Sequence, residues 1–140
     1  DMQSFLNGGC ETCPNIGTCD KAEKNYSHIF PVMRELLKEN GRAVCLIKPQ
    51  FEAGKENVGK KGVVRDKNVH IDVVEKILNL CIQNKFSVLG LDFSPIKGPE
   101  GNIEYLIYLD KSQAGMTVEE VENRLEEVVA ESHKILSAEK

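Results

Sequence analysis

RAVCLIKPQFE, running from Arg42 to Glu52, is the stretch whose reading decides the fold. Ala43 to Ile47 form an unbroken apolar run, and Lys48-Pro49 closes it. A short apolar run with β-branched members, ended by a turn signal, predicts a strand buried on both faces, as in the sheet of an α/β protein. Lys48 then stands at the carboxyl end of that strand, and open α/β sheets take their ligands just outside those ends. On that ground the lysine is a candidate substrate contact. A solvated lysine that merely stops a strand accounts for the pattern equally well.

Upstream of this strand, Ile29, Phe30, Met33, Leu36 and Leu37 recur at the 3, 4 and 7 spacings of one helix face. Pro31 suits the first turn, where a missing N–H costs nothing, and Asn40-Gly41 supplies a left-handed stop. Residues 1–27 hold several glycines and a proline with no sustained period, and read as an irregular segment. Downstream, residues 50–68 form a long connection. It carries Lys55, Lys60, Lys61, Arg65 and Lys67 against Glu52, Glu56 and Asp66. Long loops in compact domains are either functional or disordered. A solvated loop is the plain reading; a phosphate-contacting lid for an RNA strand is the sharper one.

Val69 to Asn84 predicts a second helix, with Val73, Val74, Ile77, Leu80 and Cys81 on its apolar face. Phe86 to Phe93 predicts a second strand with Val88, Leu89 and Leu91 buried. Residues 94–102, SPIKGPEGN, hold two prolines and two glycines and fix a particular turn path. Ile103 to Leu109 predicts a third strand, with Ile103, Tyr105, Ile107 and Leu109 on one face and Glu104, Leu106 and Tyr108 on the other. Glu104 is the one charge in this apolar run. A buried carboxylate is expensive unless paired, so it calls for a cation, and Lys48 is the candidate; a place at the frayed mouth of the strand, in water, is the plain reading. Thr117-Val118-Glu119-Glu120 is a capping box opening a last amphipathic helix through Leu136. This order fits an α/β sheet whose last strand directly follows its neighbour. The glycine-rich first turn and the strand-end acid of a nucleotide site are missing from it.

The 140 residues suit one domain with a real core. A hydrophobic content of 41% and a charged content of 29% place the chain among ordinary globular proteins. No apolar run is long enough to span a membrane, and a cytoplasmic location is expected. The net charge of −4 argues against nucleic-acid binding by the whole surface, but leaves room for a local basic patch. The chain starts at Asp1, which suggests a piece of something longer. Cys45 and Cys81 sit in apolar patterns and read as core thiols. Cys10, Cys13 and Cys19 give C-x2-C-x5-C with His28 nearby; one close pair falls short of zinc-ligand spacing, so a zinc module is a minor alternative and no metal is expected.

Two long motifs carry a resemblance. LIKPQFEAGKENVGKKGVVRD, followed after a helix by GLDFSPIKGPEGNIEYLIYL, closely resembles the TlyA (hemolysin A) family of FtsJ-like methyltransferases. The match spans roughly residues 28–136. It implies the C-terminal half of a Rossmann-like, S-adenosylmethionine-dependent fold, with residues 28–140 in that domain and residues 1–27 outside it. It implies 2′-O-methylation of cytidine in rRNA, with rRNA or a ribosomal subunit as partner. Lys48 matches the lysine of the IKPQFE motif and Glu104 the glutamate of GNIEY, two members of the Lys-Asp-Lys-Glu tetrad of this fold. Asp20 falls on the aspartate position by gapless counting, although its neighbours Lys21, Ala22 and Glu23 do not match. The first lysine of the tetrad and the glycine-rich cofactor loop have no counterpart, which implies a truncated form. Lys60, Lys61, Arg65 and Lys97 become candidate rRNA phosphate contacts. A non-catalytic RNA-contacting or structural fragment is the alternative.

Overall fold

Apolar periodicity turns into helices and strands largely where the sequence places them. The computed structural model describes residues 25–112 and 115–136. In chain order they form helix α1 (Asn25–Leu36), strand β1 (Arg42–Ile47), the four-residue helix α2 (Pro49–Glu52), helix α3 (Lys67–Gln83), strands β2 (Ser87–Phe93) and β3 (Tyr105–Asp110), and helix α4 (Val118–Leu136). Single 3-10 turns lie at Lys55–Asn57, Lys60–Gly62 and Pro99–Gly101.

The strands are ordered β1-β3-β2, and β3 runs antiparallel to both neighbours. The last strand therefore enters between the other two instead of adding at an edge. Register fixes which side chains share a face. Cys45, Ile107 and Leu91 stand in one row, and Ile47, Tyr105 and Phe93 in the next. These rows meet the helices, in a core shared with Phe30, Val74, Ile77, Val128 and Val129. The register shift between Val88 and Gly90 is a bulge, and Leu89 ends half-buried where full burial was expected.

β1 is not buried on both faces as expected. Val44 is 64% exposed, because α1, α3 and α4 pack on the Cys45–Ile47 side. Two helix-end expectations also change. Pro31 lies inside α1 and not in its first turn. An interior proline costs about 3 kcal/mol, and burial of Tyr26, Ile29, Phe30 and Met33, at about 1.5–3 kcal/mol for each large side chain, exceeds it. The helix ends at Leu36 without a left-handed Asn40-Gly41 stop. Its last carbonyls are met by the Lys111 ammonium, which donates to Arg34 O at 2.6 Å and Leu37 O at 2.7 Å. At α4 the first bond of the capping box forms, the Glu120 amide donating to Thr117 Oγ1 at 3.2 Å, while the Glu120 carboxylate accepts from the Thr117 hydroxyl at 3.1 Å.

Candidate active site at the sheet rim

β1 ends at Ile47, paired with Tyr105 at the start of β3. Continuing that register by one residue sets Lys48 opposite Glu104, at one rim of the sheet. Lys48 keeps extended backbone and caps α2, whose first residue is Pro49. The tight turn sends Gln50 and Phe51 to different sides. The Lys48 ammonium lies over the Phe51 ring, 5.8 Å from its centroid. Gln50 Nε2 donates to Glu104 Oε2 at 3.2 Å.

The expectation that Lys48 pairs with Glu104 is therefore corrected. No ion pair joins them among the described residues, and the carboxylate, although buried, takes its hydrogen bond from a neutral amide. The physical reason lies in α2: the lysine's N-cap position stacks it on Phe51, one turn along, and the glutamine fills the space beside the carboxylate. Gln50 Oε1 is itself buried with no partner among the described residues. An unmet buried acceptor costs about 1–3 kcal/mol, and such atoms cluster where a ligand donor completes them.

The turn after β2 wraps Glu104. The Ser94 amide donates to Glu104 O at 2.8 Å, and the Gly98 amide to Asn102 O at 2.7 Å. Gly98 passes so close to the carboxylate that a Cβ there would stand 2.4 Å from Glu104 Oε2. Glycine at this position lets the carboxylate lie where it does, since a side chain would displace it. Glu100 and Gly101 close the turn with φ of 61° and 91°.

The basic connection is anchored, contrary to a solvated loop. Val63 and Val64 are buried. Asn102, 2% exposed, holds the loop with both ends of its amide: its Oδ1 accepts from the Val64 amide at 2.9 Å, and its Nδ2 donates to Gly62 O at 2.9 Å. The fully buried His70 adds a third tie through Nε2 to Val64 O at 2.9 Å. Donation there leaves His70 Nδ1 to accept from His133 Nε2 at 2.7 Å. The hydroxyl of Tyr105 completes the group, 2.9 Å from Ser132 Oγ. Burial first, and then the neighbouring His133, lower the His70 pKa to about 4. Lys60, Lys61 and Arg65 stay exposed on this anchored loop, and Lys97 precedes Gly98. Lys61 sits at φ 69°, a left-handed conformation that a lysine adopts at a cost of about 1–2 kcal/mol.

Asp20, Cys10, Cys13 and Cys19 lie outside the described residues, and His28 is exposed on α1. Gln50, Gly98, Asn102 and His70 are the site residues that sequence reasoning missed. Gln50 had a signal, since it stands inside the IKPQFE block; the others needed coordinates. The described residues do not by themselves fit S-adenosylmethionine. β1 runs into Lys48-Pro49 and a four-residue helix, and β2 into the turn that encloses Glu104. Neither is a glycine-rich strand-to-helix turn able to approach such a group, and the acid near the end of β2, Asp92, lies 3.7 Å from Arg124.

Comparison with known proteins adds a second line. Residues 3–111 match the family described as FtsJ-like methyltransferase, a range that begins within the segment the sequence reading set apart. YqxC of Bacillus subtilis (strain 168), assigned by name as an rRNA methyltransferase, is 41% identical over 128 residues, covering 91% of this chain and 46% of that protein. The 16S/23S rRNA (cytidine-2′-O)-methyltransferase TlyA of Mycobacterium tuberculosis (strain ATCC 25618 / H37Rv) is 33% identical over 81 residues, covering 58% of this chain and 30% of its own. A solved structure of a protein called a hemolysin, from Streptococcus thermophilus, superposes with a TM-score of 0.72 at 41% identity, covering 80% of this chain and 40% of that one. The chain spans less than half the length of each of these proteins.

Proposed function

The chain belongs to the FtsJ-like methyltransferase family, and from that premise we propose that it serves the acceptor side of S-adenosylmethionine-dependent methyl transfer to a ribose 2′-hydroxyl of rRNA, at cytidine. The three-stranded sheet is the C-terminal part of a larger Rossmann-like sheet in this reading. What carries it is the facing of Lys48 and Glu104 across one rim, with the basic loop anchored two residues from Glu104 through Asn102.

The Lys48 ammonium donates a hydrogen bond to the 2′-oxygen and stabilises the charge that develops there as the hydroxyl proton passes to solvent. Among the described residues that ammonium has no carboxylate partner, which leaves it available to a ligand. Glu104, held by Gln50, accepts from the ribose and fixes its orientation; alignment of this kind supplies much of the rate in transfer from an already activated donor. Lys60, Lys61, Arg65 and Lys97 contact phosphates, which position the strand without reading its sequence. Asp20 is a third candidate at the site through the family tetrad. No step at the donor is assigned to residues of this chain.

The absence of a donor cradle among the described residues favours a second reading, an RNA-contacting module without catalysis. Incubation with rRNA and methyl-labelled S-adenosylmethionine, followed by nucleoside digestion, separates the two. The proposal expects 2′-O-methylcytidine. RNA bound without methylation selects the module, and RNA left unbound removes both.

A further inference from the structure

Asn102 sits between two parts of the site that touch different portions of a nucleic-acid strand. Toward the loop it makes two side-chain hydrogen bonds, to the Val64 amide and to Gly62 O. Gly62 follows Lys61 in the same 3-10 turn, so a force on that lysine is applied to the carbonyl that Asn102 holds. Toward β3 the backbone of Asn102 accepts from the Gly98 amide, and Gly98 lies directly against the Glu104 carboxylate. The path from the Lys61 backbone to the carboxylate thus passes through two hydrogen bonds and one steric contact. Asn102 is nearly inaccessible, which leaves it no direct contact with ligand.

We propose that Asn102 is a positioning residue that couples occupancy of the basic loop to the placement of Glu104. This rests on the reading of the loop as an RNA contact. A strand bound at Lys60 and Lys61 displaces the Gly62 carbonyl, Asn102 follows, and Gly98 presses or releases the carboxylate. Backbone contact then prepares the group that meets the ribose. Coupling is reciprocal: a change at Glu104 alters the loop by the same factor by which the loop alters Glu104.

Hydrogen exchange and NMR on the full 140-residue chain test this. In the first arm, without RNA, Glu104→Gln changes the exchange rate of the Val64 amide by about 5-fold or more, the lower end of common coupling energies. In Asn102→Asp, which keeps an oxygen for Val64 but loses the donor to Gly62, the same Glu104 substitution changes it by less than about 2-fold. Where Asn102→Asp fails to fold, Asn102→Ser takes its place. A Val64 rate indifferent to Glu104→Gln in the wild-type background overturns the proposal. In the second arm, a single-stranded oligoribonucleotide shifts the 13C signal of the Glu104 carboxyl in wild type and leaves it in place in the Asn102 variant. An equal shift in both also overturns it. Failure of the RNA to bind refutes the functional reading, while the first arm still decides the coupling.

Discussion

Lowering the pH from 7 to 5 destabilises the fold chiefly through His70, with His133, whose pKa is also lowered by burial, acting in the same direction. The His70 ring is fully buried, its Nε2–H committed to Val64 O and its Nδ1 accepting from His133. A second proton on Nδ1 opposes the His133 donor and places a charge beneath the basic loop. The charged groups set against the pair are Asp66, which favours protonation of both rings, and Lys67, which opposes it at His133; Tyr105 adds a neutral hydroxyl. The folded pKa is about 4, below the ordinary 6.5. A base depressed on folding contributes stability that is fully present above its unfolded pKa and lost as pH falls toward the folded one. At pH 5 the unfolded ring is almost wholly protonated and the folded ring about one-tenth so, which corresponds to a loss of about 2 kcal/mol relative to pH 7. Most carboxylates remain ionised over this interval, so the slope belongs mainly to histidine. Urea unfolding at pH 7, 6 and 5 reads it, and His70→Gln, whose amide can keep both bonds, flattens it. A wild-type stability level to within about 0.5 kcal/mol across that range, or a His70 ring titrating near 6.5 by NMR, refutes the reasoning.

Gly98→Ala leaves the unfolding midpoint within a few degrees of wild type, because the atoms it strikes are the far end of a flexible side chain. It moves the Glu104 carboxylate, seen as a changed 13C shift with the Gln50 contact broken. Lys61→Gly relieves left-handed strain of about 1–2 kcal/mol against an unfolded-state penalty of about 0.5–1, and raises stability by about 0.5 kcal/mol in urea. The same change removes one phosphate contact, so the salt dependence of single-stranded RNA binding falls by about 0.7 in log–log slope. Lys111→Met uncaps α1 at Arg34 O and Leu37 O and costs about 2 kcal/mol by urea unfolding, as expected for hydrogen bonds from a charged donor.

Elements with strong periodicity were legible because burial acts on every third or fourth residue. The faces of α3 and α4 and the Ile103–Leu109 alternation reappear in the core. Thr117 and Glu120 were legible for a local reason, since a capping box lies within four residues. The insertion of β3 between β1 and β2 was not legible, because antiparallel pairing leaves the same alternation whichever neighbours a strand takes. Nor was the stop of α1, which depends on Lys111, 75 residues beyond Leu36 in the sequence. At the site, composition pointed to Lys48 and Glu104, one ending an apolar run and the other interrupting one. The partners that hold Glu104 could not be read. Gly98 acts by lacking a side chain, Gln50 by a bond across 54 residues and Asn102 by one across 38. The basic loop looked solvated because lysine and glycine dominate it; two adjacent valines, Val63 and Val64, are what bury it.

Discrimination of the 2′-hydroxyl tests the shared rim most directly. Binding of a cytidine-containing oligoribonucleotide is compared with that of the same strand carrying 2′-deoxycytidine at one position, in wild type, Lys48→Met and Glu104→Gln. Hydrogen bonds to charged groups contribute about 1.5–3 kcal/mol, so the wild-type chain should prefer the ribose by about tenfold or more. Each substitution should erase that preference, and Lys48→Met should leave the loop's salt-dependent binding in place. Equal affinity of the wild-type chain for both strands, or a preference that survives loss of either side chain, contradicts the account.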